Sequence, residues 1–500
     1  MWFRLSHLPF FFQLFSVAAL SMFLPSAHAL TFENYAEARS FFYTGILGLF
    51  LLLMIALATS NRTLEESGIQ QLTSLALGFL LLPVYLAIPE HDIISTTDFI
   101  NAYLDMVSAL TTTGFVVFQP EILSDTIHLW RAVVAWMGGA LIWLVAVAIL
   151  APMNLGGFEG ASGSPIHQTH YLTSKERQHF LHRNFSALFP LYLSLTGLLW
   201  FALALSGLPG FDSLIFAMSI LSTSGITAVE NLSDFNGNWT AEVVIFIFFI
   251  FAITRGTVSR ERSITGSGRF STSTELSIAS VVIISVTVLL TIGQILQQIG
   301  SQKDVFCLAT IKMIWANIFT VTSFLTTNGW QSGFWEASQT WSEFVAPSSL
   351  FLGLALIGGG IATTAGGVKL LRVYALYSNA VHEMDRLIHP SSIGHSNNIY
   401  QNELRAKAFI AWIFFMLFVI GLAIITLSLT AFGFNFETAV IASVSALSTT
   451  GPLFGFILGA PIDFETLSSG AKMTLALAMV LGRLEILVLL ALFTSETWRG

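Results

Sequence analysis

One heptapeptide occurs four times in this chain: Ser108-Ala-Leu-Thr-Thr-Thr-Gly114, Ser219-Ile-Leu-Ser-Thr-Ser-Gly225, Ser323-Phe-Leu-Thr-Thr-Asn-Gly329 and Ser445-Ala-Leu-Ser-Thr-Thr-Gly451. The pattern is S-x-[LF]-[ST]-T-x-G, and its glycines stand 111, 104 and 122 residues apart. A bulky or rigid residue follows each glycine: Phe115, Ile226, Trp330 and Pro452. A single such stretch is explained by the Ser, Thr and Gly that let membrane helices pack closely. Four copies at one period, each at the same point of a helix–loop–helix unit, require an internally repeated fold.

The solvent for that fold is lipid. Of 500 residues, 54 % are hydrophobic and 10 % charged, with a mean hydropathy of +0.75; soluble domains carry about 25 % charged residues. A spanning helix needs about 20 mostly apolar residues, and candidates run near 41–59, 70–88, 130–151, 187–207, 240–254, 277–298, 346–377, 408–430 and 472–494. Residues 1–29 read either as a signal peptide, with Arg4 before the apolar run and Ala27-His28-Ala29 after it, or as a first spanning helix. Residues 30–69 then supply a helix and a link. Four repeats follow at 70–153, 187–255, 277–378 and 408–500, joined by linkers at 154–186, 256–276 and 379–407. On this topology roughly 15 of the 21 Lys and Arg, including Lys175, Arg177, Arg260, Arg262, Arg386 and Arg405 of the linkers, fall on one side, which makes that side cytoplasmic. Acids such as Glu90, Asp92, Glu230, Asp234, Asp463 and Glu465 fall in the external connections and read as solvated loop residues that concentrate cations at most modestly. The C-terminus is then inside.

Several function classes drop out. A net charge of −8 provides no basic stripe for nucleic acid. The single cysteine, Cys307, excludes an internal disulfide and a Cys-rich metal site. No helix carries regularly spaced arginines, so a voltage sensor is not expected. A membrane-embedded enzyme would need convergent acids or histidines at depth, and only Arg483 and Glu485 lie deep in an apolar segment. The pairs His167/His170 and His179/His182 have H-x-x-H spacing but read more simply as part of an amphipathic linker.

The repeat makes physical sense as a pore loop. Non-helical backbone at membrane depth must be buried in protein or line a water-filled cavity. Short apolar helices are expected near 99–111, 211–222, 312–326 and 436–448, each followed by an extended T-x-G-x strand returning to the surface. The glycine admits backbone angles closed to other residues and keeps a Cβ out of a narrow tube. Carbonyls around Thr112-Thr113-Gly114-Phe115, Thr223-Ser224-Gly225-Ile226, Thr327-Asn328-Gly329-Trp330 and Thr449-Thr450-Gly451-Pro452 can then replace a cation's hydration shell. The negative C-terminal ends of the short helices add to the attraction. The expected architecture is an all-α polytopic membrane protein, with four covalently linked helix–pore-loop–helix repeats around one central pore, preceded by one or two extra N-terminal hydrophobic segments.

These motifs resemble the TrkH/KtrB superfamily of potassium-uptake channels, and the two N-terminal segments bring the chain nearer its TrkH branch. The stretch Gly358-Gly-Gly-Ile-Ala-Thr-Thr-Ala-Gly-Gly-Val-Lys-Leu-Leu-Arg-Val373 resembles the intramembrane gating loop of the third repeat. Leu481-Gly-Arg-Leu-Glu-Ile-Leu-Val-Leu-Leu490 resembles the inner helix of the fourth repeat with its buried arginine, and Trp136 to Pro152 resembles the first inner helix. The second filter departs with Thr-Ser-Gly, the third with Asn328 and Trp330, and the Ser/Gly-rich connection 255–275 is not family-typical. The resemblance implies K⁺ as the transported ion, no bound cofactor, a homodimer in the bacterial inner membrane, and a cytoplasmic TrkA-type NAD/ATP-binding regulatory ring. That ring would dock on the basic loops 255–275 and 370–407. It also implies that serine at the first filter glycine accompanies Na⁺ permeation; all four positions here are glycine.

In 358–367, Gly358, Gly359, Gly360, Thr363, Thr364, Gly366 and Gly367 interrupt what is otherwise a spanning segment, with Lys369 just beyond. A phosphate-binding loop is not satisfied, because Leu370 follows Lys369. The stretch is therefore a close-packing kink or a gating loop across the pore. Arg483 is its natural partner, since an intramembrane arginine is functional by default and its donors match free loop carbonyls. A static salt bridge is the alternative role for Arg483. Two functions remain on this scaffold: potential-driven K⁺ uptake through the filter, and proton- or sodium-coupled K⁺ symport, which needs a titratable group near the path.

Overall fold

The computed structural model describes residues 9–59, 68–147, 174–228, 238–254, 269–300, 307–342, 344–361, 363–389, 398–459 and 462–484, which form helices and loops with no strand. Backbone in lipid has no water to bond, so a helix that satisfies its own N–H and C=O groups is the natural element. Among the described residues seven helices are long and apolar enough to span: Phe10–Thr31, Tyr35–Ala58, Ile69–Ile93, Asp125–Val145, Phe180–Leu205, Glu275–Ile299 and Ala408–Ala431. The N-terminal run forms two helices, Phe10–Ser21 and Phe23–Thr31, packed against Tyr35–Ala58. Phe41 and Trp130 meet edge to face at 5.6 Å, and Tyr85 Oη donates to the Thr44 carbonyl at 2.8 Å, joining this N-terminal layer to the first repeat.

Each repeat has an outer helix, a short helix and an inner helix. The outer helices are Gly68–Ile93, Ser174–Leu205, Arg269–Gly300 and Asn398–Ala431. The short helices are Phe99–Leu110, Gly210–Ser222, Cys307–Leu325 and Phe436–Leu447, the third being longer than the sequence suggests. The inner helices are Asp125–Val145, Trp239–Phe248 with Ile250–Ile253, Ser348–Ile357, and Ser469–Leu484. The inner helix of each repeat packs on the short helix of the next: repeat 1 on 2, 2 on 3, 3 on 4, and 4 back on 1. One chain thereby closes a ring of four similar contacts, as a cyclic oligomer does with identical subunits. Small residues let the backbones approach: a Cβ on Gly139 would stand 2.8 Å from Ser222 of the next short helix.

Two expectations need adjusting. The linkers are partly helical, because helices run from Ser174, from Arg269, to Ile388 and from Asn398. A helix continues past its apolar span wherever its polar side chains can be solvated. Segment 346–377 is not one helix: Ser348–Ile357 stops at Gly358, and the helix Leu370–Ile388 starts after Lys369, whose φ is +83°. The docking residues Arg255, Arg260 and Arg262, the histidines His167 and His170, and Glu485 lie outside the described residues.

Candidate functional site

The four heptapeptides fold alike at the C-terminal ends of the four short helices. In each, the residue before the glycine donates its N–H to the carbonyl of the motif serine: Thr113 to Ser108 at 2.8 Å, Ser224 to Ser219 at 3.0 Å, Asn328 to Ser323 and Thr450 to Ser445 at 2.9 Å. That bond requires a reversal one residue earlier, and the residue there is left-handed every time: Thr112, Thr223, Thr327 and Thr449, with φ between +52° and +58°. Threonine is poorly suited to this region, so the closed ring of loops must impose it.

The side chains of the motif have separate tasks. The serine hydroxyl accepts the N–H of the residue after the glycine, Phe115 at 2.7 Å and Trp330 at 2.6 Å. In the fourth repeat that residue is Pro452, which has no N–H, and Ser445 Oγ has no partner among the described residues. The fourth and sixth positions tie to each other: Thr111 to Thr113 at 2.8 Å, Thr326 to Asn328 at 3.1 Å, and Ser448 to Thr450 at 3.2 Å. In the second loop Ser224 instead reaches the motif serine Ser219, at 3.2 Å.

The glycines bear out the expected backbone freedom at three positions only. Gly114, Gly225 and Gly329 have φ of +73°, +66° and +74°. Gly451 has φ −57° and caps a short helix, Pro452–Leu458, so the fourth return leg is helical where an extended strand was expected. Proline's locked φ suits the first turn of a helix, which accounts for the difference. The loops touch: Gly451 N–H donates to the Thr113 carbonyl at 2.6 Å, and a Cβ on Gly114 would strike the Ser224 carbonyl oxygen. A Cβ on Gly225 would stand 2.5 Å from the Asn328 carbonyl oxygen. Ile226 is buried, Trp330 packs on Phe216 at 4.7 Å, and Phe115 on Phe464 at 6.1 Å.

Directly against these loops lies the glycine-rich stretch after Ile357. Gly366 N–H donates to Thr327 Oγ1 at 2.8 Å, and Thr364 Oγ1 donates to the Leu221 carbonyl at 3.1 Å. A Cβ on Gly366 would meet the Ser448 carbonyl oxygen and Thr449 Oγ1, so only glycine passes there. Thr363 Oγ1 closes on Gly360 O at 2.8 Å, Gly358 and Gly367 are left-handed, and Lys369 Nζ donates to the Ala365 carbonyl. Gly359 and Gly360 press on the second repeat, where Gly360 N–H reaches Ala252 O at 3.0 Å. Arg483 Nη1 donates to the Thr364 carbonyl at 2.6 Å, while its Nε and Nη2 have no partner among the described residues. The stretch therefore touches the loops of repeats 2, 3 and 4 together, on the side of the short-helix C-termini.

Sequence reasoning missed several buried charges, having counted only Arg483 and Glu485 as deep and Glu90 as solvated. Glu275 accepts the Ile361 N–H at 3.1 Å and so holds the glycine-rich stretch from the third outer helix. Glu242 accepts from Trp315 Nε1 at 2.7 Å, Ser332 Oγ at 2.9 Å and Gly333 N–H at 2.8 Å, fastening the third return leg to the second inner helix. Asp105 and Arg131 pair behind the first loop, and Glu90 is 0 % exposed. Asp105, Arg131, Glu242 and Glu275 each find their partner in a part of the chain at least 26 residues away, so no local pattern reveals the pairing. Among the described residues no group of three or more His, Cys, Asp or Glu could hold a metal ion.

Known proteins resemble this chain in sequence and in overall fold. The TrkH family profile, described as a cation transport protein, matches residues 271–498. The Trk system potassium uptake protein TrkI of Halomonas elongata is 27 % identical over 431 residues, covering 84 % of this chain and 81 % of that one. The Trk system potassium uptake protein TrkH of Escherichia coli K12 is 25 % identical over 416 residues, covering 80 % and 79 %. The crystal structure of the potassium transporter TrkH from Vibrio parahaemolyticus aligns over 100 % of both chains with a TM-score of 0.78 and 23 % identity, which shows a common fold. With the four-repeat ring and its motifs, these matches show that the chain resembles the TrkH family of cation transport proteins in sequence and shares the TrkH fold.

Proposed function

We propose that this protein takes up K⁺ across the bacterial inner membrane, through a filter of backbone carbonyls drawn from the four glycine loops. The observation that carries the reading is the fourfold repetition of one backbone geometry, with a left-handed threonine in every copy, at the convergence of four short-helix C-termini. Those ends present unpaired carbonyls and a negative dipole to a cation. An entering ion competes with the Gly451 N–H for the Thr113 carbonyl, so occupancy and inter-loop bonding are coupled.

The relatives are potassium uptake proteins by name, which supports K⁺ as the cargo. Transport is driven by membrane potential. One charge gains about 2.3 kcal/mol per 100 mV, so roughly 150 mV supports accumulation on the order of 300-fold without hydrolysis in this chain. The stretch 358–367 is the gate, held shut by Arg483 through Thr364. The C-terminus is cytoplasmic, two copies associate, and an NAD- or ATP-binding ring acts on the gate from the cytoplasmic side. No cofactor is bound by this chain.

Growth rescue tests the reading. In a bacterium lacking K⁺ uptake, expression should restore growth at low K⁺, and alanine at Gly114, Gly225 or Gly329 should abolish the rescue while protein reaches the membrane. Rescue undiminished by all three changes would refute the filter assignment.

A further inference from the structure

Behind the first loop lies a charge cluster that the transport path does not use. Glu90, on the outer helix of the first repeat, is 0 % exposed, and neither carboxyl oxygen has a donor among the described residues. Its carboxyl lies within hydrogen-bond reach of Asp105 on the short helix, itself 1 % exposed. Arg131 of the inner helix grips Asp105 with two bonds, Nε to Oδ2 at 2.8 Å and Nη2 to Oδ1 at 3.0 Å. The same Nη2 reaches the carbonyl of Phe115, the residue after the first filter glycine, at 3.4 Å. Three helices of one repeat thus converge on a single loop carbonyl.

The charges do not balance unless a proton is present. Two carboxyls in contact, both out of water and facing one guanidinium, cannot both be ionised without leaving an uncompensated buried anion. Asp105 has both its oxygens occupied by Arg131, so it is the ionised member. Glu90 faces no cation directly. The other titratable or charged groups on these three helices and on those packed against the helix of Glu90 are Tyr35, Glu37, Arg39, Tyr43, Tyr85, His91, Asp92, Tyr103, Asp125, His128, Lys472 and Arg483. None of them is hydrogen-bonded to Glu90, and His128 is engaged with the Pro120 carbonyl at 3.0 Å. In the third repeat the position matching Asp105 is Thr320, whose hydroxyl accepts the Ser332 N–H at 3.3 Å. A side chain three residues before the motif serine therefore anchors the return leg there too, without charge.

We propose that Glu90 is a neutral carboxylic acid donating to Asp105, and that this one-proton pair anchors Arg131 as a positioning residue for the Phe115 carbonyl. The cluster then sets the geometry of the first filter loop and with it the discrimination of K⁺ from Na⁺. The inference rests on the filter reading above for its consequence, but not for the proton itself.

The test uses the full-length protein reconstituted in vesicles, with two independent readouts. Infrared spectroscopy of the wild type should show the carbonyl stretch of a buried protonated carboxylic acid, lost in Glu90→Gln. Absence of that band, or its survival in Glu90→Gln, overturns the shared proton whether or not the protein conducts. In K⁺/Na⁺ permeability, Glu90→Gln should match the wild type within about twofold, because a glutamine amide donates to Asp105 as the acid does. Asp105→Asn should also remain selective, because Glu90 then ionises and takes over as counter-ion. The double change Glu90→Gln/Asp105→Asn leaves Arg131 unpaired and should lower the permeability ratio about tenfold, well beyond the product of the single effects. Loss of selectivity in Glu90→Gln alone, or equal effects of the single and double changes, contradicts the positioning role. A wild type that does not select K⁺ would instead refute the filter reading and leave the infrared result standing.

Discussion

Replacing Gly114 by serine should lower the K⁺/Na⁺ permeability ratio about tenfold or more, equivalent to at least about 1.4 kcal/mol of lost discrimination. Two constraints act at this residue. Its φ of +73° is strained for any residue with a Cβ, and a Cβ built there would strike the Ser224 carbonyl oxygen of the second loop. The first and second loops must then separate, or the Ser224 carbonyl must turn away from its place in the ring. In the filter proposed above, either change alters the spacing of the carbonyls that would substitute for ion hydration. Gly451 should tolerate alanine better in its backbone, because its φ of −57° is helical, although a Cβ there would still stand 2.5 Å from Phe115 N. Permeability ratios from bi-ionic reversal potentials decide the matter. An unchanged ratio in Gly114→Ser removes the first loop from the filter.

Arg483→Ala should raise K⁺ flux in the absence of any activating partner by about five- to tenfold, with little loss of thermal stability. The guanidinium is 6 % exposed and makes one hydrogen bond, to the Thr364 carbonyl at 2.6 Å, with Nε and Nη2 unpartnered among the described residues. A buried cation so sparsely compensated is a poor source of stability. In the gate proposed above, its contribution is to hold the glycine-rich stretch against the loops through the Thr364 carbonyl. A hydrogen bond to a charged group is worth about 1.5–3 kcal/mol, which would shift the closed–open equilibrium by roughly ten- to a hundredfold. The lower figure applies to flux, because Thr327, Leu221, Ala252 and Glu275 still hold the same stretch. Flux and open probability identical to the wild type would refute the latch and leave Arg483 a packing residue. A large fall in thermal stability would point the same way.

How far the sequence carries can be judged element by element. The short helices expected near 99–111, 211–222 and 436–448 are found at Phe99–Leu110, Gly210–Ser222 and Phe436–Leu447, because each is an apolar run ended by a Ser/Thr/Gly cluster. The interruption at 358–367 was equally legible from its glycines. The backbone of the loops was not. Glycine draws attention as the residue able to be left-handed, yet in all four loops the reversal falls on threonine, and Gly451 is helical. Ring closure decides this, since every loop is pressed by its neighbours, and that pressure is invisible in any one segment. The same holds for Asp105, Arg131, Glu242 and Glu275. Their charges look like interruptions of apolar helices or like solvated exterior until a partner 26 to 91 residues away is placed beside them.

The most direct test of potential-driven, filter-selected uptake is the reversal potential of the reconstituted protein under a K⁺ gradient, measured at two external pH values with Na⁺ present. The account predicts reversal at the K⁺ equilibrium potential at both pH values. A reversal potential that moves with the proton or Na⁺ gradient would contradict it and establish coupled transport instead.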